Sequence, residues 1–169
     1  MTLAELQHEL DTRDDGVLKH GAHKPEGREF CALEFESQVR GRRWSDAPLT
    51  LPDLRPLNDG LWSSDAARTK ALLPAMVALW EWVSWSPERR QQWASRVAIL
   101  TIQRIIAKLP PLPPLVRLQC QNAQTCQEAQ TAAGAAAEAA AGAAAGANHD
   151  PILERACTIW IESCHDLVD

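Results

Sequence analysis

Apolar residues along the chain recur at steps of three and four, the helical period, rather than at steps of two. Leu3, Leu6 and Leu10 follow Thr2-x-x-Glu5, a capping box, and predict a short first helix that stops at Asp14-Asp15-Gly16. From Gly16 to Gly27 neither period holds, and Gly21 and Pro25 mark a loop. The helical spacing resumes over Glu29 to Arg40, on Phe30, Leu33 and Ser37 and on Cys31 and Phe35. Gly41 then stands where a left-handed cap belongs. Arg42 to Pro52 reads as loop and Pro52 to Asn58 as a short helical segment. Ser64-Asp65 opens a helix toward Trp85 that Pro74 is expected to kink or divide. Ser86-Pro87-Glu88 opens the next helix, which carries Trp93, Val97, Leu100, Ile102, Ile106 and Leu109 on its apolar side.

The proline run from Pro110 to Pro114 cannot continue a helix. From Leu115 to Ala147 no proline occurs, and residues 132 to 147 are twelve Ala, three Gly and one Glu, which predicts one long helix. Asp150-Pro151 caps a last helix that turns Ile152, Ala156, Ile159 and Ser163 inward. The expectation is an all-α fold: a compact bundle of about six or seven helices with one long Ala-rich helix. It forms a single domain, 1–169, loop-rich over 1–62 and helical over 63–169.

Composition narrows the function classes. The 169 residues carry a net charge of -5, and 46% are hydrophobic, which excludes wholesale disorder and argues against nucleic acid as a partner. The longest apolar stretch is Ala and Gly interrupted by Glu138, so no membrane span is expected. The start of the chain lacks the pattern of an export signal, and five cysteines are an odd number, so the expected compartment is the cytoplasm, with free thiols. No C-x-x-C occurs, and neither a metal nor any other cofactor is expected.

Charge is uneven. Residues 82 to 118 hold six bases and one acid, and residues 119 to 169 hold seven acids and one base. Attraction between these helices is the plainer reading. A phosphate-facing stripe on Arg89, Arg96 and Gln103 is the functional one. Of the seven tryptophans, Trp82 and Trp85 share a helix side while Trp80 faces elsewhere, and Arg89 or Arg90 is placed to cover an indole. Gly134, Gly142 and Gly146 lie on a four-residue lattice that includes Glu138; the two readings are a face that lets a second helix approach, as in a homo-oligomer seam, and a low-complexity helix with no specific role.

The densest chemistry lies in two N-terminal loops and the helix between them. His20-Gly21-Ala22-His23 precedes Cys31-x-x-Glu34, and Arg42-Arg43-Trp44-Ser45-Asp46 follows. The candidate ligand-binding residues are His20, His23, Arg28, Glu34, Arg42, Arg43, Trp44, Ser45 and Asp46. Arginines meet phosphate or carboxylate, an indole stacks, and Ser-Asp fixes hydroxyl or amino groups. An enzyme would draw its base from His23 or Glu34 and its nucleophile from Cys31 or Ser45. No phosphate-cradling glycine loop, nucleophile elbow or metalloprotease helix occurs.

The run Gly21-x-His23, Cys31-x-x-Glu34, Gly41-x-x-Trp44-Ser45-Asp46-x-Pro48, Leu57-Asn58-Asp59 and Leu73-Pro74 resembles an uncharacterised family of bacterial and phage proteins with Ala-rich helical tails. The likeness covers roughly residues 18 to 75. The chain departs from that pattern after Pro48, where Leu49-Thr50-Leu51-Pro52 stands in place of a Cys-Val-Cys-Pro-like segment. The resemblance implies a bacterial or phage origin and a defined N-terminal loop site, and it implies no reaction. The functional expectation is a non-enzymatic binding protein of phage or mobile-element origin that captures a host protein or a small anionic ligand, with an anti-defence role in view. A small hydrolase using the N-terminal loops and a structural oligomer using the Ala/Gly helix are the alternatives.

Overall fold

The computed structural model describes residues 1–13, 15–108, 112–140, 149–165 and 167, with side chains of 134–140 excepted. Among them the chain is all-α, with no strand. The helices are α1 (Leu3–Arg13), α2 (Ala32–Val39), α3 (Arg55–Asn58), α4 (Asp65–Ala78), α5 (Pro87–Arg104), α6 (Pro114–Asn122), α7 (Cys126–Ala140) and α8 (Asp150–His165). Short 3-10 turns follow α4 and α5, at Trp82–Ser84 and Ile106–Lys108. The chain divides into two compact units, Met1–Trp85 with Asn148–Ile161, and Ser86–Ala147 with Glu162–Asp169.

In the first unit α1 packs on α4, and α3 packs on both α2 and α4. The core is leucine-rich: Leu6, Leu10, Leu18, Leu33, Leu51, Leu54, Leu72, Leu73 and Leu79 are buried with Phe35 and Met76. Each such side chain contributes roughly 1.5–3 kcal/mol by leaving water. Helix α2 begins at Ala32, later than the apolar spacing suggested, because Cys31 is its N-cap. The Cys31 thiol accepts the Glu34 N–H and the Glu34 carboxylate accepts the Cys31 N–H at 2.9 Å. At its other end Gly41 has φ +66°, and the Gly41 and Arg42 N–H groups donate to the Gln38 and Ser37 carbonyls in a Schellman motif. Pro74 does not divide α4, which runs through it and ends at Ala78. The cost is the one hydrogen bond that a proline cannot donate to the residue four before it.

In the second unit α5, α6 and α7 pack around Ile102, Ala107, Leu112, Cys120, Ala123, Ala129 and Ala132. The predicted helix from Leu115 is two helices. Thr125-x-x-Glu128 is a second capping box: the Glu128 carboxylate accepts the Gln124 and Thr125 N–H groups, and the Thr125 hydroxyl accepts the Glu128 N–H. These bonds start a new helix and override the propensity of alanine to continue the old one. Helix α5 stops at Arg104, before the predicted Leu109. The glycine lattice beyond residue 140 and the prolines at 110 and 111 lie outside the described residues. Where opposite charges were expected to pair, Arg104 pairs with Glu162.

The start of α8 differs from expectation. Asp150 is its first residue, and its carboxylate accepts the Ser63 N–H at 2.7 Å and the Ser63 hydroxyl. Ile159 and Ser163 are buried as expected. Of the tryptophans, Trp82 and Trp85 lie together at 5.3 Å while Trp80 stands apart. The Arg40 guanidinium covers an indole, 4.1 Å from the Trp80 ring.

Candidate functional site

The loop from Gly16 to Cys31 has no helix or sheet to satisfy its backbone, so side chains from elsewhere must do it. Asn58 accepts the Ala32 N–H at 3.1 Å and donates to the Lys19 carbonyl at 3.1 Å. Asp59 accepts the N–H of Gly21, whose φ is +79°. Arg68, nearly fully buried, donates to the Asn58 carbonyl at 2.8 Å and the Leu18 carbonyl at 3.2 Å, and pairs with Asp65. Lys19 pairs with Asp15 and Asp65, chiefly through its hydrogen bond to Asp15, and these partners raise its pKa. Asn58, Asp59 and Arg68 are therefore loop clamps.

The same logic places Glu34. It is 1% exposed, and its carboxylate accepts three N–H groups of the loop and cap: His23 N–H at 2.6 Å, Cys31 N–H at 2.9 Å and His23 Nδ1 at 2.9 Å. A carboxylate only accepts, so this contact puts the ring proton on Nδ1 and turns the lone pair of Nε2 outward. The His23 side chain is 13% exposed, and Nε2 reaches the surface without a hydrogen-bond partner among the described residues. The Trp44 indole N–H donates to the His23 carbonyl at 3.2 Å, and the Trp44 ring packs 5.1 Å from Phe30. One knot thus joins the loop before α2 to the loop after it.

The nine predicted residues divide accordingly. His23, Glu34 and Trp44 are brought together. Arg28, Arg42 and Arg43 are exposed on the joined loops and have no acidic partner among the described residues, whereas Arg13, Lys19, Arg40, Arg55, Arg68 and Arg104 all have one. Lys24, beside His23, is a further unpaired cation that sequence reasoning passed over; Glu26 and Glu29 are unpaired acids on the same loop. His20 is exposed, next to the Gly21 that Asp59 holds. Ser45 and Asp46 turn to other work. The Ser45 hydroxyl accepts the Ala47 N–H and its carbonyl accepts the Ser37 hydroxyl, while Asp46 adds its field to that of Asp53 on Arg55.

Of the two candidate nucleophiles, Cys31 is built into the frame of α2. Burial pushes the Cys31 thiol up to about 12, and its sulfur is committed to the α2 cap. A second buried network, in which Glu36 accepts the Thr50 hydroxyl and pairs with Arg40, braces the far end of α2. Arg40 also donates to the Trp80 carbonyl at 2.6 Å. Among the described residues no group of three or more His, Cys, Asp or Glu side chains is placed to hold a metal. No helix of the described residues is long and apolar enough to cross a membrane.

Grooves of about 640 Å³ between α1 and α4 and about 260 Å³ between α4 and α8 contain none of the nine residues. No family model, curated protein or solved structure matches the chain.

Proposed function

We propose that the chain is a non-enzymatic binding protein that captures a small anionic ligand on the His23 face, with an anionic patch of a host protein as the macromolecular counterpart. The observation that carries the reading is the fixed imidazole: Glu34 holds both the His23 backbone N–H and Nδ1, and the unpaired cations Lys24, Arg28, Arg42 and Arg43 stand on the loops that Trp44 ties to it. A histidine held this firmly presents one nitrogen in one direction, and guanidinium groups without partners match phosphate or carboxylate oxygens. The phage or mobile-element origin rests on the motif resemblance alone.

The test is a titration of the full chain with inorganic phosphate and with citrate, followed by amide NMR. Shifts confined to residues 20–24 and 42–46, lost in the Arg42→Glu/Arg43→Glu double variant with melting unchanged, are expected. No shift at millimolar anion, or shifts the double variant leaves intact, would sink the reading. The enzyme alternative draws on the same His23–Glu34 pair, which supplies a base and its orienting group. Of its candidate nucleophiles, Cys31 is a buried thiol, and the Ser45 hydroxyl accepts the Ala47 N–H.

A further inference from the structure

We infer that His23 Nε2 is a phosphoryl acceptor, charged by a donor that itself holds phosphorus on nitrogen, a phosphoramidate or a phosphohistidine. The inference rests on the anion reading of the His23 face and goes beyond it to a covalent modification. Three observations carry it. The ring is fixed in the tautomer that leaves Nε2 with its lone pair, by a carboxylate at 2.9 Å from Nδ1 that is itself buried and held by two backbone N–H groups. That lone pair reaches the surface with no competing partner among the described residues. Arg42 and Arg43, on the loop bonded to the His23 carbonyl through Trp44, are free of acids and supply charge for the phosphoryl oxygens.

The alternatives for such a nitrogen fit less well. As a general base, Nε2 would need a nucleophile to activate: the Cys31 sulfur is committed to the α2 cap, and the Ser45 hydroxyl accepts the Ala47 N–H. Transfer from a nucleoside triphosphate needs a metal to bridge the phosphate oxygens. An N–P donor requires no such metal.

The step balances simply. Nε2 attacks phosphorus, a new N–P bond forms, and the donor's N–P bond breaks. The donor nitrogen, protonated before the bond breaks, leaves with the electron pair as a neutral amine or imidazole. The positive charge that appears on the His23 ring is met by the Glu34 carboxylate, which keeps its hydrogen bond to the Nδ1 proton throughout.

The experiment treats the full chain with potassium phosphoramidate near neutral pH, followed by phosphorus NMR and by peptide mass spectrometry under non-acidic conditions. A single phosphoryl group on His23 Nε2 is expected, at a rate above those of His8, His20, His149 and His165, and absent in His23→Asn. Glu34→Gln is expected to slow labelling about tenfold, the usual size of losing a group that orients a histidine. Should that variant fail to fold, Arg42→Ala/Arg43→Ala, both exposed, carries the test with severalfold slower labelling at unchanged helicity. Labelling spread over the exposed histidines at rates equal to that of His23, label on Nδ1, or indifference to the arginine pair would overturn the inference. Phosphate-induced shifts at residues 20–24 without covalent label would also overturn it and leave the binding reading standing. Absence of both shifts and label would end both.

Discussion

The two units solve the same problem in opposite ways. In the first, long irregular loops are held by buried polar side chains, and Glu34, Glu36, Asn58, Arg68 and Thr69 are nearly inaccessible to water. In the second, α5, α6 and α7 satisfy their own backbones, and the core they enclose is built largely from Ala and Cys. The contrast follows from backbone accounting: a helix bonds to itself and needs only a close-fitting neighbour, whereas a loop must borrow partners. It also explains why the candidate site lies in the first unit. A loop held by polar clamps can fix a side chain such as His23 at the surface, where a helix face of small residues has nothing to fix.

The largest expected effect comes from the loop clamps. Arg68→Met removes the donor to two loop carbonyls and the partner of Asp65, and should cost about 3–4 kcal/mol of unfolding free energy by denaturant titration. A loss below about 1 kcal/mol would mean that the carbonyls find water and the clamp is dispensable. Next is Asn58→Ala, which orphans the Ala32 N–H and the Lys19 carbonyl and should cost about 2 kcal/mol, with amide exchange rising first over residues 19–23.

In the second unit the sensitive direction is enlargement. Cys120 is fully buried against α7, its thiol 3.8 Å from the Ala132 carbonyl, so Cys120→Leu should destabilise by about 1–2 kcal/mol, while Cys120→Ala costs less. Equal costs for the two would show slack in this core. The smallest effect at ordinary pH is on the thiols. Burial holds Cys31 and Cys157 of the first unit up to about 12, against 9 when exposed. Their neutral forms are favoured in the folded chain, so stability is fully present below pH 9 and falls as pH rises from 9 toward 12. Thermal melts across that range check the slope, and replacing both cysteines with alanine should flatten it.

Much of the architecture was legible because helix starts carry local signals. Thr2-x-x-Glu5, Ser64, Ser86-Pro87 and Gly41 all act where the chain pattern placed them. The boundaries that shifted did so for equally local reasons. Thr125-x-x-Glu128 was hidden under the helix propensity of the alanines that follow it, and the cap at Cys31 was read as part of the apolar stripe. The site was legible as a cluster but not in its roles. Glu34 and Cys31 are spaced as a capping box and as a pair of reactive groups alike, and only the burial of both distinguishes the two. Contacts between residues far apart in sequence, such as Asn58 with Lys19 or Asp150 with Ser63, follow no period and leave no trace in the order of residues.

The central claim is that Glu34 fixes His23 with its proton on Nδ1 and its Nε2 lone pair at the surface. Two-bond proton–nitrogen correlation of the histidine side chains, on the full chain at mildly alkaline pH, tests it directly. The account predicts that His23 is a single Nδ1–H tautomer, distinct from an averaged His20, and that Glu34→Gln or Trp44→Phe disturbs it while leaving the other histidines unchanged. An Nε2–H tautomer at His23, or an averaged ring indistinguishable from that of His20, would contradict it.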